Sequence, residues 1–190
     1  QASPEQISIN AKQRNCLSVA YTYNDPIIFH EYAIDVAAAC KEQGLNSVAV
    51  TAGYISPEPR KEFFAQMDAV NIDLKAFSED FYVKMTGSHL QNILETIQYI
   101  HHETNIWMEI TTLLIPGLND SEQELQAMTD WIVDKLGVDV PIHFSAFHPD
   151  YKLKDRQRTP LGTLLMARKI AMDKGIRYVY TGNVHHVESD

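Results

Sequence analysis

The stretch Ala69-Val70-Asn71-Ile72-Asp73-Leu74-Lys75, AVNIDLK, determines how the rest of the chain is read. Its run of apolar and β-branched residues predicts a buried strand, yet it carries an acid and a base near its end. Period-two alternation puts Asn71, Asp73 and Lys75 on one face and Ile72 and Leu74 on the other. The apolar pair then meets covering helices, and the polar trio faces away from them. Burying such charges costs on the order of several kcal/mol per ion, and a partner offsets this only in part. Two readings follow: a structural Asp73–Lys75 ion pair at the rim of the sheet, or side chains that serve a ligand.

Outward from this strand, the chain alternates. Ser3, Pro4 and Gln6 form a capping box that opens a helix running to about Arg14, and LSVAYTY (17–23) reads as a strand. Apolar residues recur at helical spacing from Ile28 to Gln43, Gly44 provides a stop, and NSVAVTAG (46–53) is the next strand. PEPRKEFFAQM (57–67) is a helix before AVNIDLK, Ser78 opens a short helix after it, and LQNILETIQYIHHE (90–103) is a longer one. IWMEITTLLI (106–115) is a strand, and Ser121 with Glu124 predicts a second capping box before LQAMTDWIVDKLG. PIHFSAF (141–147), PLGTLLMARKIAMDKG (160–175) and IRYVYTG (176–182) complete the series as strand, helix and strand. The five-residue run Pro116–Asp120 reads as a turn leading into a helix. Trp107, Trp131, Phe63 and Phe64 read as core aromatics.

Near-continuous apolar strands joined by helices predict parallel pairing, either in an open doubly wound sheet or in a full or partial (β/α) barrel. An open sheet gathers its ligand groups at one switch point, whereas a barrel uses the C-terminal ends of many strands. Here nearly every strand ends polar: Tyr23-Asn24-Asp25, Thr51-Ala52-Gly53, Asp73-Leu74-Lys75, Glu109 with Thr111, His143 with Ser145, and Thr181 with Asn183. The sequence also lacks GxGxxG and GxxxxGK[ST]. Both observations favour a barrel-like α/β arrangement.

With 190 residues, 45% hydrophobic and 22% charged, the chain is expected to form a single domain over 1–190. An excess of 25 Asp+Glu over 16 Lys+Arg gives a formal charge of -9 and argues against nucleic-acid binding. No apolar run reaches the roughly 18–20 residues that span a bilayer, so a soluble, cytoplasmic chain without a membrane partner is expected. Cys16 and Cys40 are too far apart for CxxC spacing and read as reduced, buried structural thiols. His101-His102 and His185-His186 fit no zinc spacing and read as solvated, so no metal ligand is assigned.

The segments YNDP, VTAGY, NIDLKAFSEDFY, TTLLIPGLNDS, FSAFHPDYKL and YVYTGNV, in this order, carry a resemblance. Together they resemble the radical SAM enzymes close to pyruvate formate-lyase (glycyl-radical) activating enzymes, and within these the AmmeMemoRadiSam-system radical SAM proteins. The resemblance implies a partial (β/α) TIM-like barrel that binds S-adenosylmethionine beside a [4Fe-4S] cluster. Reductive cleavage there yields a 5'-deoxyadenosyl radical that takes hydrogen from a substrate. YNDP stands where the family has its glycine-rich GGEP segment, which assigns Asn24 and Asp25 to the methionyl amine. Thr51, with Gly53 in the same segment, matches TNG. Asp73 and Lys75 match DxK, Lys75 meeting the methionyl carboxylate, and His148 matches the His of YHxxG near the adenosyl portion. The full-length enzyme would also take an electron donor, and kinship with activating enzymes favours a protein substrate.

The sequence departs from that family in one respect that decides what it does alone. The signature CxxxCxxC is absent, so the cluster is not ligated by this chain; the sequence reads as a fragment beginning after the family's first strand and ending before a C-terminal tail. Such a chain is expected to be inactive alone. Val50 stands where activating relatives carry an acid that helps hold a monovalent cation. Two other readings remain at this level: a Schiff-base aldolase using Lys75, and a non-catalytic barrel fragment that binds S-adenosylmethionine or a partner.

Overall fold

A computed structural model describes residues 2–150 and 153–184 of the chain. In order, its elements are α1 (Pro4–Gln13), β1 (Ser18–Tyr21), a 3-10 turn (Pro26–Phe29), α2 (His30–Glu42), β2 (Asn46–Thr51), α3 (Pro57–Phe64) and β3 (Ala69–Asp73). They continue with α4 (Glu79–Phe81), a π-helical turn (Tyr82–Thr86), α5 (Leu90–Glu103), β4 (Trp107–Leu114), α6 (Glu122–Leu136), β5 (Ile142–Ala146), α7 (Leu161–Asp173) and β6 (Val179–Gly182). The chain compacts into two units. One comprises the residues up to Ile72 with Asn92–Met108, and the other comprises Asp73–Gln91 with the residues from Glu109 onward.

In the first unit, β1, β2 and β3 are neighbours and parallel, with Ala20 opposite Val48 and Val50 opposite Asn71. Helix α1 starts as its sequence dictates: Ser3 Oγ accepts from Gln6 N–H at 3.3 Å, and Gln6 Oε1 accepts from Ser3 N–H at 3.0 Å. Helix α2 stops at Gly44, whose φ of +68° suits a residue without Cβ; there Leu45 N–H returns to Cys40 O at 2.9 Å and Gly44 N–H to Lys41 O at 3.0 Å. The core of this unit is Ala49, Val70, Ile72, Phe63, Phe64, Ile97 and Ile100. The Phe63 and Phe64 rings meet edge to face at 5.0 Å.

In the second unit, β4, β5 and β6 are again neighbours and parallel, with Thr111 opposite His143 and His143 opposite Tyr180. Ile110, Leu114, Ile142, Phe144 and Ala146 are fully buried together with Ile132 of α6 and Leu164, Ala167 and Ala171 of α7. Alternation along each strand places Glu109, Thr111, His143 and Ser145 on the other face. Burial in and just after β3 follows the same rule: Ile72 and Leu74 are fully buried, and Asn71, Asp73 and Lys75 are half-buried.

Several expectations are corrected. β3 ends at Asp73, so Lys75 stands on irregular backbone and not in the strand. Trp107 is 58% exposed at the start of β4, not core, while Trp131 is half-buried with its ring 6.0 Å from that of Phe77. Cys16 is exposed; only Cys40 is a buried thiol, and burial pushes it up from the ordinary cysteine range. The second capping box is half formed: Ser121 Oγ accepts from Glu124 N–H at 3.2 Å, but the Glu124 carboxylate accepts from Phe77 N–H at 2.7 Å and does not turn back on Ser121. His101 and His102 are exposed. Tyr151, Lys152 and the pair His185-His186 lie outside the described residues.

Candidate functional site

Three of the sequence-predicted residues come together in the first unit. The loop after β1 passes through Tyr23 and Asn24, both exposed, to Asp25, which caps the 3-10 turn by accepting from Ile27 N–H at 3.1 Å. The same carboxylate reaches the end of β2, where Oδ1 accepts from Thr51 Oγ1 at 2.7 Å and Oδ2 from Ala52 N–H at 2.9 Å. Thr51 Oγ1 in turn accepts from Gly53 N–H at 3.0 Å. Gly53 has φ +70°, a left-handed conformation that calls for glycine in the tight turn after β2, while the space around it would admit a Cβ in ordinary contact with Ile72 and Thr96 at 3.5 Å. A carboxylate offers about four lone-pair sites, and three of these are taken by the protein. Asp25 thus ties two strand ends together and keeps one site for a further donor. Tyr23 has φ +70°, a conformation that costs a non-glycine residue roughly 1–2 kcal/mol.

In the second unit Lys75 Nζ donates to Asp73 Oδ2 at 2.9 Å, with the two side chains 41% and 34% exposed. The structural ion pair therefore exists. At this exposure it is worth about 0–1 kcal/mol, too little to account for two charges at a strand end. The ammonium has three donors and spends one on Asp73, which leaves two for a ligand.

His148 lies two residues beyond β5, exposed, with Nδ1 3.3 Å from Asp150 Oδ2. Among the described residues no hydrogen bond or ion pair joins it to Asp73 or Lys75. Upstream, on β5 itself, His143 Nε2 is 2.7 Å from Glu109 Oε2, and its ring stacks on Tyr180 at 5.0 Å and 22°. These three side chains form a polar row across β4, β5 and β6, opposite the face of Ile110, Ile142 and Val179. A carboxylate that holds an imidazole in one orientation is a chemically competent pair for hydrogen bonding a ligand.

Asn119, read from sequence as part of a turn, is 2% exposed. Its Oδ1 accepts from Ile115 N–H at 2.6 Å, and its Nδ2 donates to Leu113 O at 2.8 Å and to Lys75 O at 2.5 Å. Turn statistics favour Asn at such places for local reasons, so nothing in the sequence signals a bond to a residue 44 positions away. Glu124 is similar. Burial raises its carboxyl above the ordinary glutamate range, the Phe77 N–H lowers it in part, and Asp120 raises it further. A raised folded-state value means that stability is lost as pH rises from the unfolded-state value through the folded one. Glu124→Gln keeps an oxygen for Phe77 N–H and removes the buried charge. It is expected to be more stable than wild type at pH 7, with the advantage vanishing near pH 4, as read by urea unfolding at both values.

Among the described residues no three His, Cys, Asp or Glu side chains gather as a metal site. The chain's two thiols, one exposed and one buried, do not fit a cluster that takes three thiolates. A cavity of about 400 Å³ in the first unit is lined by Phe64, Met67, Asp68, Tyr99 and Glu103, at the start of β3 and not at its end. None of the sequence-predicted site residues lines it.

Residues 2–129 match the family model of the Radical SAM superfamily. An uncharacterised protein of Methanocaldococcus jannaschii is 41% identical over 182 residues, covering 96% of this chain and 54% of that protein. The pyruvate formate-lyase-activating enzyme of Clostridium pasteurianum is 25% identical over 148 residues, covering 72% of this chain and 61% of the enzyme. The crystal structure of a domain of pyruvate-formate lyase-activating enzyme from Bacteroides vulgatus superposes with a TM-score of 0.75 at 19% identity, over 87% of this chain and 99% of that one. This likeness confirms the fold as an α/β partial barrel of parallel strands. The chain spans about half the length of the curated relatives it matches.

Proposed function

Because the chain belongs to the radical SAM superfamily, whose members in general use S-adenosylmethionine and a [4Fe-4S] cluster, we propose that it is the core of an enzyme of that kind. Bound together, the two groups supply radical chemistry: reductive cleavage of the sulfonium and hydrogen abstraction from a substrate. The three thiolates would come from outside these 190 residues, since Cys16 and Cys40 do not fit.

The chain's own residues would hold the nucleotide. Lys75 meets the methionyl carboxylate through the two N–H groups that Asp73 leaves over, a charge-assisted contact. The resemblance to activating enzymes also assigns Asn24 and Asp25, with Thr51 and Gly53 in the neighbouring turn, to the methionyl amine, and His148 to the adenosyl portion. The observation that carries this reading is the half-exposed ammonium of Lys75, held on irregular backbone immediately after β3. A Schiff-base lysine is activated by desolvation or by a neighbouring cation, and Lys75 is half-exposed and paired with a carboxylate, which disfavours the aldolase reading.

We take the substrate to be a protein, on the similarity to activating enzymes, with a separate electron donor. The described residues contain no helix long and apolar enough to cross a membrane, and two thiols outside any disulfide suit a cytoplasmic location. The test uses the full-length protein with its cluster rebuilt under anaerobic conditions. S-adenosylmethionine should bind in calorimetry, and reduction should release 5'-deoxyadenosine. A cluster-loaded protein that ignores the nucleotide in both assays would end the proposal.

A further inference from the structure

Residues 74–78 belong to no strand or helix, yet they carry the one lysine the proposed site depends on. Irregular backbone ordinarily gives its polar groups to water and moves with it. Here side chains from four other places in the second unit take those groups one after another. Thr112 Oγ1, on β4, donates to Leu74 O at 2.8 Å. Tyr82 Oη, from the π-helical turn, accepts from Lys75 N–H at 3.0 Å. Asn119 Nδ2, from the loop after β4, donates to Lys75 O at 2.5 Å. Glu124 Oε1, from the first turn of α6, accepts from Phe77 N–H at 2.7 Å.

Thr112, Tyr82 and Asn119 are all buried, as are Leu74 and Ala76 on either side of the lysine. Burial holds the Tyr82 hydroxyl up at about 12, so it remains an uncharged acceptor for the Lys75 amide. The arrangement exceeds what stability asks of a short connection. A five-residue link from a strand to a helix can be satisfied by solvent, whereas this one consumes a polar group from each of four separate elements.

We infer that Thr112, Tyr82, Asn119 and Glu124 are positioning residues for Lys75: they fix the backbone of 74–77 so that the ammonium stands ready for the methionyl carboxylate. This rests on the reading of Lys75 given above. A lysine side chain is long and rich in rotamers, so fixing its backbone and its Asp73 contact in advance removes ordering that binding would otherwise have to supply. The four contacts act through Lys75 and need not touch the nucleotide themselves.

The experiment measures S-adenosylmethionine affinity by anaerobic calorimetry on the full-length, cluster-loaded protein. Tyr82→Phe removes one hydroxyl while keeping the ring, and is expected to weaken binding by about 3- to 10-fold, in line with the loss of a net hydrogen bond. Thr129→Val serves as the comparison, since Thr129 is buried in α6 and, among the described residues, bonds only within that helix, to Leu125 O at 2.8 Å and Gln126 O at 3.0 Å. It should cost stability without changing affinity. In a Lys75→Met background Tyr82→Phe should have no further effect, because the two act on one contact. A Tyr82→Phe protein that binds like wild type, or an effect of equal size with and without Lys75, overturns the positioning role alone. If Lys75→Met itself binds like wild type, both the positioning role and the reading of Lys75 fall.

Discussion

Replacing Asn119 by Ala is expected to lower the unfolding free energy by about 3–5 kcal/mol, one of the larger effects available to a single polar substitution. The side chain is buried and fully used: one acceptor bond from Ile115 N–H and two donor bonds, to Leu113 O and Lys75 O. Alanine leaves all three backbone groups unpaired in a place that water reaches poorly, at roughly 1–3 kcal/mol each before relaxation. Asn119→Asp should be worse still. It keeps the acceptor for Ile115 but turns a carboxylate oxygen toward two carbonyls. Urea unfolding of both variants measures the effect, and an alanine variant within about 1 kcal/mol of wild type would contradict the assignment of those bonds. We also propose that the 190 residues unfold as one domain, because the first unit is built from two separate chain segments. A single transition is therefore expected, and two resolved ones would refute it.

The second large effect falls on binding. Lys75→Met in the full-length, cluster-loaded protein is expected to weaken S-adenosylmethionine binding by about 10- to 100-fold, the range for losing charge-assisted hydrogen bonds to a carboxylate. Stability should scarcely change, because the Asp73–Lys75 pair is half-exposed and worth little to the fold. That split between affinity and stability separates a ligand-binding lysine from a structural one. Lys75→Arg should not restore affinity, since a planar guanidinium on a longer stem neither replaces a compact ammonium nor fits its seat. Calorimetry and urea unfolding on the same preparation test both halves of the expectation. A variant that loses stability and keeps its affinity would return Lys75 to a structural role.

Much of this protein is written locally. Alternation in AVNIDLK separates Ile72 and Leu74 from Asp73 and Lys75, and Ser3 with Gln6 and Gly44 mark helix ends, because these signals depend on periods and caps spanning only a few residues. The parallel α/β architecture followed from the same local reading, as did the polar groups at or just after the ends of β1, β2, β3 and β6, whereas Glu109 and Thr111, read as a strand end, lie inside β4, and His143 lies near the start of β5. Where β3 ends, and why Asn119 is buried, could not be read in that way. Tyr82, Thr112, Asn119 and Glu124 are separated from residues 74–77 by up to 47 positions and meet them only after folding. A hydroxyl or amide that captures a distant backbone group leaves no period in the sequence, so Glu124 looked like half of a capping box and Asn119 like a turn residue. Local order was determined by the sequence alone; which polar groups hold Lys75 was decided by tertiary packing, since only packing removes the competing water.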